Sequence, residues 1–156
     1  MFNQKIYVII PAYNEEKSIP KVIADIPKNL VAEIIVCNNN SKDKTGEVAL
    51  TAGATVLFEP QSGYGNACLK GINYLKNKAC AEDIIVFMDG DYSDYPEDII
   101  KIIAPIQNGE ADLVIGSRHL GVKENGAMTL PQVFGNWLAT KLIYLFYKVK
   151  FTDLGP

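Results

Sequence analysis

A regular alternation of short apolar runs with longer helical patterns constrains this chain more than any other feature. The runs "KIYVII" (5–10), "AEIIVC" (32–37), "ATVLF" (54–58), "DIIVFM" (83–88) and "ADLVIG" (111–116) are rich in Val and Ile and apolar nearly throughout. Strands buried on both faces have that composition. Candidate helices fall between them near 17–28, 43–52, 65–78 and 96–108. Such a β-α-β-α series predicts an α/β fold, Rossmann-like, with a doubly wound, mostly parallel sheet and right-handed crossovers. The polar or glycine-rich stretches "PAYNEE", "NNNSKDKT", "EPQSGYG" and "DGDYSDYPE" each follow a strand directly. They should converge on one edge of the sheet, where open α/β folds bind ligands.

With 156 residues the chain is one domain long and can bury roughly two thirds of its unfolded surface, so one core is expected. A formal net charge of -3 with 21% charged residues gives no sign of nucleic-acid binding. The cysteines, Cys37, Cys68 and Cys80, are far apart in sequence, with no C-x-x-C or Cys/His cluster. They read as reduced core residues of a cytosolic protein. The N-terminal run before Pro11 is too short for a signal peptide and lacks a small-residue cleavage site, so it reads as the first strand. No stretch approaches the ~20 apolar residues needed to cross a bilayer. The expected location is the cytoplasm.

Beyond residue 120 the pattern changes to a loop, "LGVKENGAMT", and an aromatic helix, "PQVFGNWLATKLIYLFYKVK". Its wide apolar face and the lysines at 141, 148 and 150 are compatible with lying on the inner face of a membrane as a peripheral contact. Core packing, or contact with a further C-terminal segment, explains them equally well. The chain ends on "FTDLGP" without a capping element, so residues 1–156 are expected to form a single domain cut short at its C-terminus.

The segment "VFMDGDYSDYPED" carries the strongest chemical signal. Asp89 and Asp91 flank Gly90 directly after an apolar strand. Two carboxylates so placed can offer hard oxygens to one divalent cation, and Mg²⁺ typically takes one or two carboxylates together with waters and substrate phosphates. They amount to half a metal site that a diphosphate would complete. Asp94 or Ser93 is expected to cap the helix that starts near Pro96. "SGYGNACLKG" is no P-loop, because no G-K-[ST] follows, and it makes a poor dinucleotide fingerprint. Gly63 and Gly65 either form a turn before a helix or let backbone approach a ligand.

Taken in order, "VIIPAYNEEKSI", "IIVCNNNSKDKT", "GYGNACLKG", "VFMDGDYSDYPED", "ADLVIGSRHLG" and "FTDLGP" resemble the motifs of the family 2 glycosyltransferases with a GT-A fold. They are particularly similar to the enzymes that move a sugar from a nucleotide to polyprenyl (dolichyl-type) phosphate. The resemblance runs through essentially the whole chain. It implies that Pro11, Ala12, Tyr13, Asn14 and Glu15 line the nucleobase and ribose pocket. It also implies that Asp89 and Asp91 match the family's D-x-D, which binds ribose, diphosphate and Mg²⁺ or Mn²⁺. Gly116, Ser117 and Arg118 would lie near diphosphate or acceptor, and Asp153, after Thr152, is the candidate base. Leu154 and Gly155 depart from the usual pattern there, which weakens the match at Asp153. Relatives usually carry Asp-Asp-Gly-Ser where this chain has Asn38, Asn39, Asn40 and Ser41. An amide both donates and accepts, so it can still pair with the edge of uracil. Asn39 is the expected base contact, with the other two amides shaping the loop. Gly65, Gly90 and the acidic pair complete the expected donor site.

The implied reaction is inverting transfer from a nucleotide sugar, UDP-linked or GDP-mannose, to polyprenyl phosphate or another saccharide or lipid acceptor. An acceptor hydroxyl would need a base such as Asp153. A lipid phosphate, already largely ionised, would instead need cations such as Arg118, His119 or Lys123. Two alternatives stay open. A sugar nucleotidyltransferase would show a basic, glycine-rich loop after the first strand, where "PAYNEE" is acidic. A non-catalytic nucleotide-sugar binding domain would bind donor without turnover.

Overall fold

The structure, a computed structural model, describes residues 4–116 and 130–151. It divides into two compact units, Met1–Ile100 and Lys101–Pro156. The first runs β1 (Ile6–Ala12), α1 (Ile19–Asp25), β2 (Glu33–Asn38), α2 (Thr45–Thr51), β3 (Thr55–Phe58), α3 (Tyr64–Leu75) and β4 (Ile84–Phe87). A 3₁₀ turn, Pro96–Asp98, then leads into α4 (Ile99–Gln107). All strand pairs are parallel, in the order β3-β2-β1-β4.

Apolar patterning explains the order of the sheet. Every residue of β1 is buried, as a central strand with both faces covered requires. On one face Tyr7, Ile9, Ile35 and Cys37 pack against Ala67 and Leu75 of α3. α3 approaches β1 so closely that a Cβ on Gly71 would lie 2.6 Å from Ile9 Cγ2. Glycine is therefore required there by contact, not by backbone conformation. Val8, Ile10 and Val36, which alternate with these residues, are equally covered, and α1 and α2 pack against each other.

Several expectations need correction. The runs at β3 and β4 are not buried on both faces: Phe58 is 56% exposed and Phe87 45%. Among the described residues each is an outer strand with one neighbour. Residues 111–116 form no strand, and Leu113 is 71% exposed. An apolar run becomes a strand only where a ladder of backbone partners receives it, and this run finds none among the described residues. All three thiols are free as expected, but only Cys37 is a core residue. Burial pushes its thiol up to about 12. Cys68 is half-buried and Cys80 exposed, the latter because it lies in the turn between α3 and β4.

In the second unit, α5 (Leu130–Tyr147) is apolar without a strongly one-sided pattern. Trp137, Leu142, Leu145, Phe146 and Tyr147 are all exposed. Lys148 and Lys150 place their ammonium groups 5.8 and 5.9 Å from the Tyr144 ring centre. No helix among the described residues is long and apolar enough to cross a membrane.

Candidate functional site

The loops after β1, β2, β3 and β4 lie at the carboxyl ends of parallel strands, as the alternation predicts. The first two are tied together by side chains that serve the opposite backbone. Asn14 N–H donates to Ser41 Oγ at 3.0 Å, and Lys42 N–H returns a bond to Asn14 Oδ1 at 2.8 Å. Glu15 N–H donates to Thr45 Oγ1 at 2.7 Å, Glu16 N–H to Asp43 Oδ2 at 3.1 Å, and Lys44 N–H to Glu16 Oε2 at 3.0 Å. Thr45 is fully buried. Burial works to raise the Asp43 carboxyl, but the bonds it accepts from Thr45 and from the Glu16 amide outweigh this and hold it below the usual carboxylate range. Asn14 and Asn40 both stand at φ 58, a left-handed conformation that asparagine tolerates better than most residues.

The sequence-predicted donor residues fall into distinct environments on this shelf. Pro11 and Ala12 are buried as the last residues of β1, so they can present only backbone to a ligand. Tyr13 is exposed. The Glu15 carboxylate accepts the Ser18 hydroxyl. Asn39 is 6% exposed, and its amide is engaged within the protein. Nδ2 donates to the carbonyls of Gln61 at 2.7 Å and Glu59 at 3.4 Å, while Oδ1 accepts Gly63 N–H at 2.7 Å. Asn38 Oδ1 accepts Ser41 N–H at 3.1 Å. Gly63 adopts φ 131, which strains any other residue, whereas a Cβ on Gly65 would meet nothing within 4 Å. Gly65 thus leaves space beside the first turn of α3.

The β4 loop is acidic and more open. Gly90 is buried where the chain leaves β4, and a Cβ there would sit 3.1 Å from Ile19 Cδ1. Asp89 is partly buried and Asp91 exposed. Asp89 Oδ1 accepts the Tyr64 hydroxyl at 3.3 Å, and Asp91 Oδ1 accepts Ser93 N–H at 2.9 Å. Burial and the neighbouring charge of Asp94, with Asp91 adding to it, raise the Asp89 carboxyl, partly opposed by the Tyr64 bond. The expected helix cap is not made: Tyr95 holds the N-cap position and makes no capping bond to the helix, and Asp94 Oδ2 accepts Asp89 N–H at 3.3 Å. Asp94 is drawn to the strand end because β4 leaves that amide without a ladder partner. Tyr92 stands at φ 67, and its hydroxyl donates to Asp25 Oδ2 at 2.5 Å.

No group of three or more His, Cys, Asp or Glu side chains among the described residues is placed to hold a metal. The pair that could hold a cation is Asp89 and Asp91. Two hard oxygen donors of like charge fit Mg²⁺ or Mn²⁺ with phosphate oxygens and waters as the remaining ligands. Of the other expected site residues, Gly116 is exposed. Ser117, Arg118, His119, Lys123, Thr152 and Asp153 lie outside the described residues. Sequence reasoning missed Asp43, Thr45 and Tyr64. The D-x-T spacing of the first two is a visible turn signal, but their partners sit on another loop.

The family profile for glycosyl transferase family 2 matches residues 7–155. An uncharacterised glycosyltransferase of Mycobacterium bovis is 39% identical over 118 residues, covering 76% of this chain and 50% of the relative. The UDP-N-acetylglucosamine–dolichyl-phosphate N-acetylglucosaminyltransferase of Methanococcus voltae is 30% identical, covering 98% and 67%. The chain spans about half the length of the mycobacterial relative. Among solved structures, Mycobacterium tuberculosis glucosyl-3-phosphoglycerate synthase with Mn²⁺, UDP-glucose and phosphoglyceric acid aligns with a TM-score of 0.60 and 30% identity. That alignment covers 69% of this chain and 41% of the other. The same enzyme with Mg²⁺ and UDP aligns at 0.57 and 29% identity, covering 67% and 40%.

Proposed function

The chain belongs to glycosyl transferase family 2, and on that premise we propose that it binds a UDP-sugar at the loops after β1, β2 and β4 and passes the sugar to an acceptor with inversion. The observation that carries the reading is the shared rim: a rigid loop pair beside two carboxylates with free coordination capacity. In the reaction the bond from the anomeric carbon to the diphosphate oxygen breaks as an acceptor oxygen bonds to the opposite face. The electron pair leaves with the diphosphate.

Asp89 and Asp91 are the residues that would hold Mg²⁺ or Mn²⁺. When bound, the cation neutralises charge that grows on the leaving diphosphate. The loop pair fixes the nucleoside end of the donor, because its backbone is already held by cross-loop bonds and loses little freedom on binding. Pro11 to Glu15 would supply backbone and exposed side chains to that end, and Gly65 and Gly90 would let the diphosphate pass close to the chain. Asp153 is the proposed base for a hydroxyl acceptor, with Arg118 a second cationic contact. A polyprenyl phosphate acceptor would dispense with the base. The dolichyl-phosphate transferase among the relatives and the exposed apolar α5 with Lys141, Lys148 and Lys150 support that choice. They also support a peripheral contact with a membrane.

Calorimetric titration with UDP, UDP-N-acetylglucosamine, UDP-glucose and GDP-mannose, each with and without Mn²⁺, tests the reading. UDP compounds should bind more tightly when Mn²⁺ is present. Binding indifferent to both metal and base would overturn it. Incubation with polyprenyl phosphate then separates transfer from donor binding without turnover.

A further inference from the structure

The Asn39 amide and the Tyr64 hydroxyl sit at opposite ends of one short brace. Asn39 closes the loop after β2 onto the loop after β3 through three bonds, the two shortest at 2.7 Å. One of these accepts the N–H of Gly63, the residue directly before α3. The Gly63 carbonyl in turn accepts Asn66 N–H at 3.0 Å and Ala67 N–H at 3.2 Å, starting the helix. Tyr64 is its first residue, and its hydroxyl reaches Asp89 Oδ1 at 3.3 Å. A path of hydrogen bonds and one helical turn thus runs from the β2 loop to the acidic pair. It crosses the sheet edge within the first unit.

Both polar ends of the Asn39 side chain are needed for this. Two carbonyl oxygens require donors and Gly63 N–H requires an acceptor, a combination that an ionised aspartate cannot satisfy. The residue is also nearly fully buried, so its amide is not free to read a base edge. Tyr64, by contrast, keeps more than half its surface exposed. Its hydroxyl bonds the Cys68 side chain, one turn along α3, as well as Asp89.

We propose that Asn39 and Tyr64 are positioning residues, which together hold the Asp89 carboxylate at a fixed place relative to the loops that take the nucleotide. The inference rests on the donor-binding reading above and deepens it. It assigns Asn39 to the metal side of the site through α3, not to direct contact with the base.

Calorimetry on wild type, Asn39→Asp and Tyr64→Phe compares UDP alone with UDP plus Mn²⁺. Tyr64→Phe, which lies outside the loops that take the nucleoside, should bind metal-free UDP within about twofold of wild type, and both variants are read for the gain from Mn²⁺. Each should lose about tenfold of the affinity that Mn²⁺ adds, the loss expected when a bond to a charged acceptor goes. The double variant should lose little more than the worse single one, because both act through one path. Should Asn39→Asp fail to fold, Tyr64→Phe decides alone, since it deletes only an oxygen from a half-exposed ring. Full retention of the Mn²⁺ gain in both variants overturns the inference while leaving the donor reading intact. So does an Asn39→Asp variant that loses metal-free UDP while Tyr64→Phe behaves as wild type. A wild type that gains nothing from Mn²⁺ overturns the donor reading and this inference together.

Discussion

The loops after β1 and β2 and the loop after β4 share one edge of the same sheet, yet they are built in opposite ways. The first pair is knitted by five cross-loop hydrogen bonds from backbone N–H to side chain, between 2.7 and 3.1 Å. Its anchor, Thr45, is fully buried. On the β4 loop each carboxylate has fewer donors: among the described residues, partly buried Asp89 accepts only the Tyr64 hydroxyl, at 3.3 Å, and exposed Asp91 accepts one N–H, that of Ser93 at 2.9 Å. A carboxylate that accepts one donor keeps lone pairs for other partners. Carboxylates saturated with N–H donors, such as Asp43, become structure. The same residue type thus serves as glue on one loop and, in the proposed reading, as a cation ligand on another.

The contrast can be broken most directly at Asp91. Because this side chain is exposed, Asp91→Asn should leave stability within about 0.5 kcal/mol. It should nonetheless remove about a hundredfold or more of the Mn²⁺-dependent UDP affinity, since even outer partners of metal ligands cost ten- to a hundredfold. Calorimetry beside a melting curve checks both halves. The mirror experiment is Thr45→Val, which strips the acceptor from Glu15 N–H. Urea denaturation should show a loss of about 1–3 kcal/mol, the cost of an unsatisfied buried donor. A variant as stable as wild type would mean that the loop pair is not held as the distances imply.

A smaller effect separates glue from ligand by pH. The Asp43 carboxyl is held below its ordinary value of 3.8, so its contribution is fully present above that value and fades as pH falls through the lower folded value. Wild type should therefore exceed Asp43→Asn in stability at neutral pH, and the gap should narrow below pH 3.8. A gap that stays constant, or widens in acid, contradicts the assignment. The smallest change is expected at Tyr92→Asn. Asparagine relieves the left-handed backbone at φ 67, which offsets the lost bond to Asp25, leaving a net change of about 0.5 kcal/mol or less. A melting temperature that falls by many degrees would show that the β4 loop is as rigidly built as its neighbours.

Much of the fold was legible because burial and periodicity are local properties of sequence. β1, β2, β3 and β4 lie where continuous Val and Ile runs occur, and Pro96 marks a helical start. The misreading of 111–116 has a physical cause. "ADLVIG" is as apolar as β4, but strand formation depends on a pairing partner, and composition does not supply one. Asp94 was misassigned for a related reason. A carboxylate two residues before Pro96 suits a cap, yet the unpaired amide at Asp89, five residues back, captured it.

The candidate site was legible to a different depth. The convergence of the loops and the Asp89–Gly90–Asp91 pair follow from the chain alone, because parallel strands send all their carboxyl ends the same way. Which polar groups remain available after folding does not. Asn39, Asn40 and Asn38 are chemically identical in the sequence, and only tertiary contact buries one amide among three backbone partners and leaves its neighbour exposed. Sequence by itself determined the strand order of polarity, the acidic pair and the family. Tertiary structure decided which donors and acceptors are already satisfied, because hydrogen-bond capacity is consumed by neighbours that lie close in space and far apart along the chain.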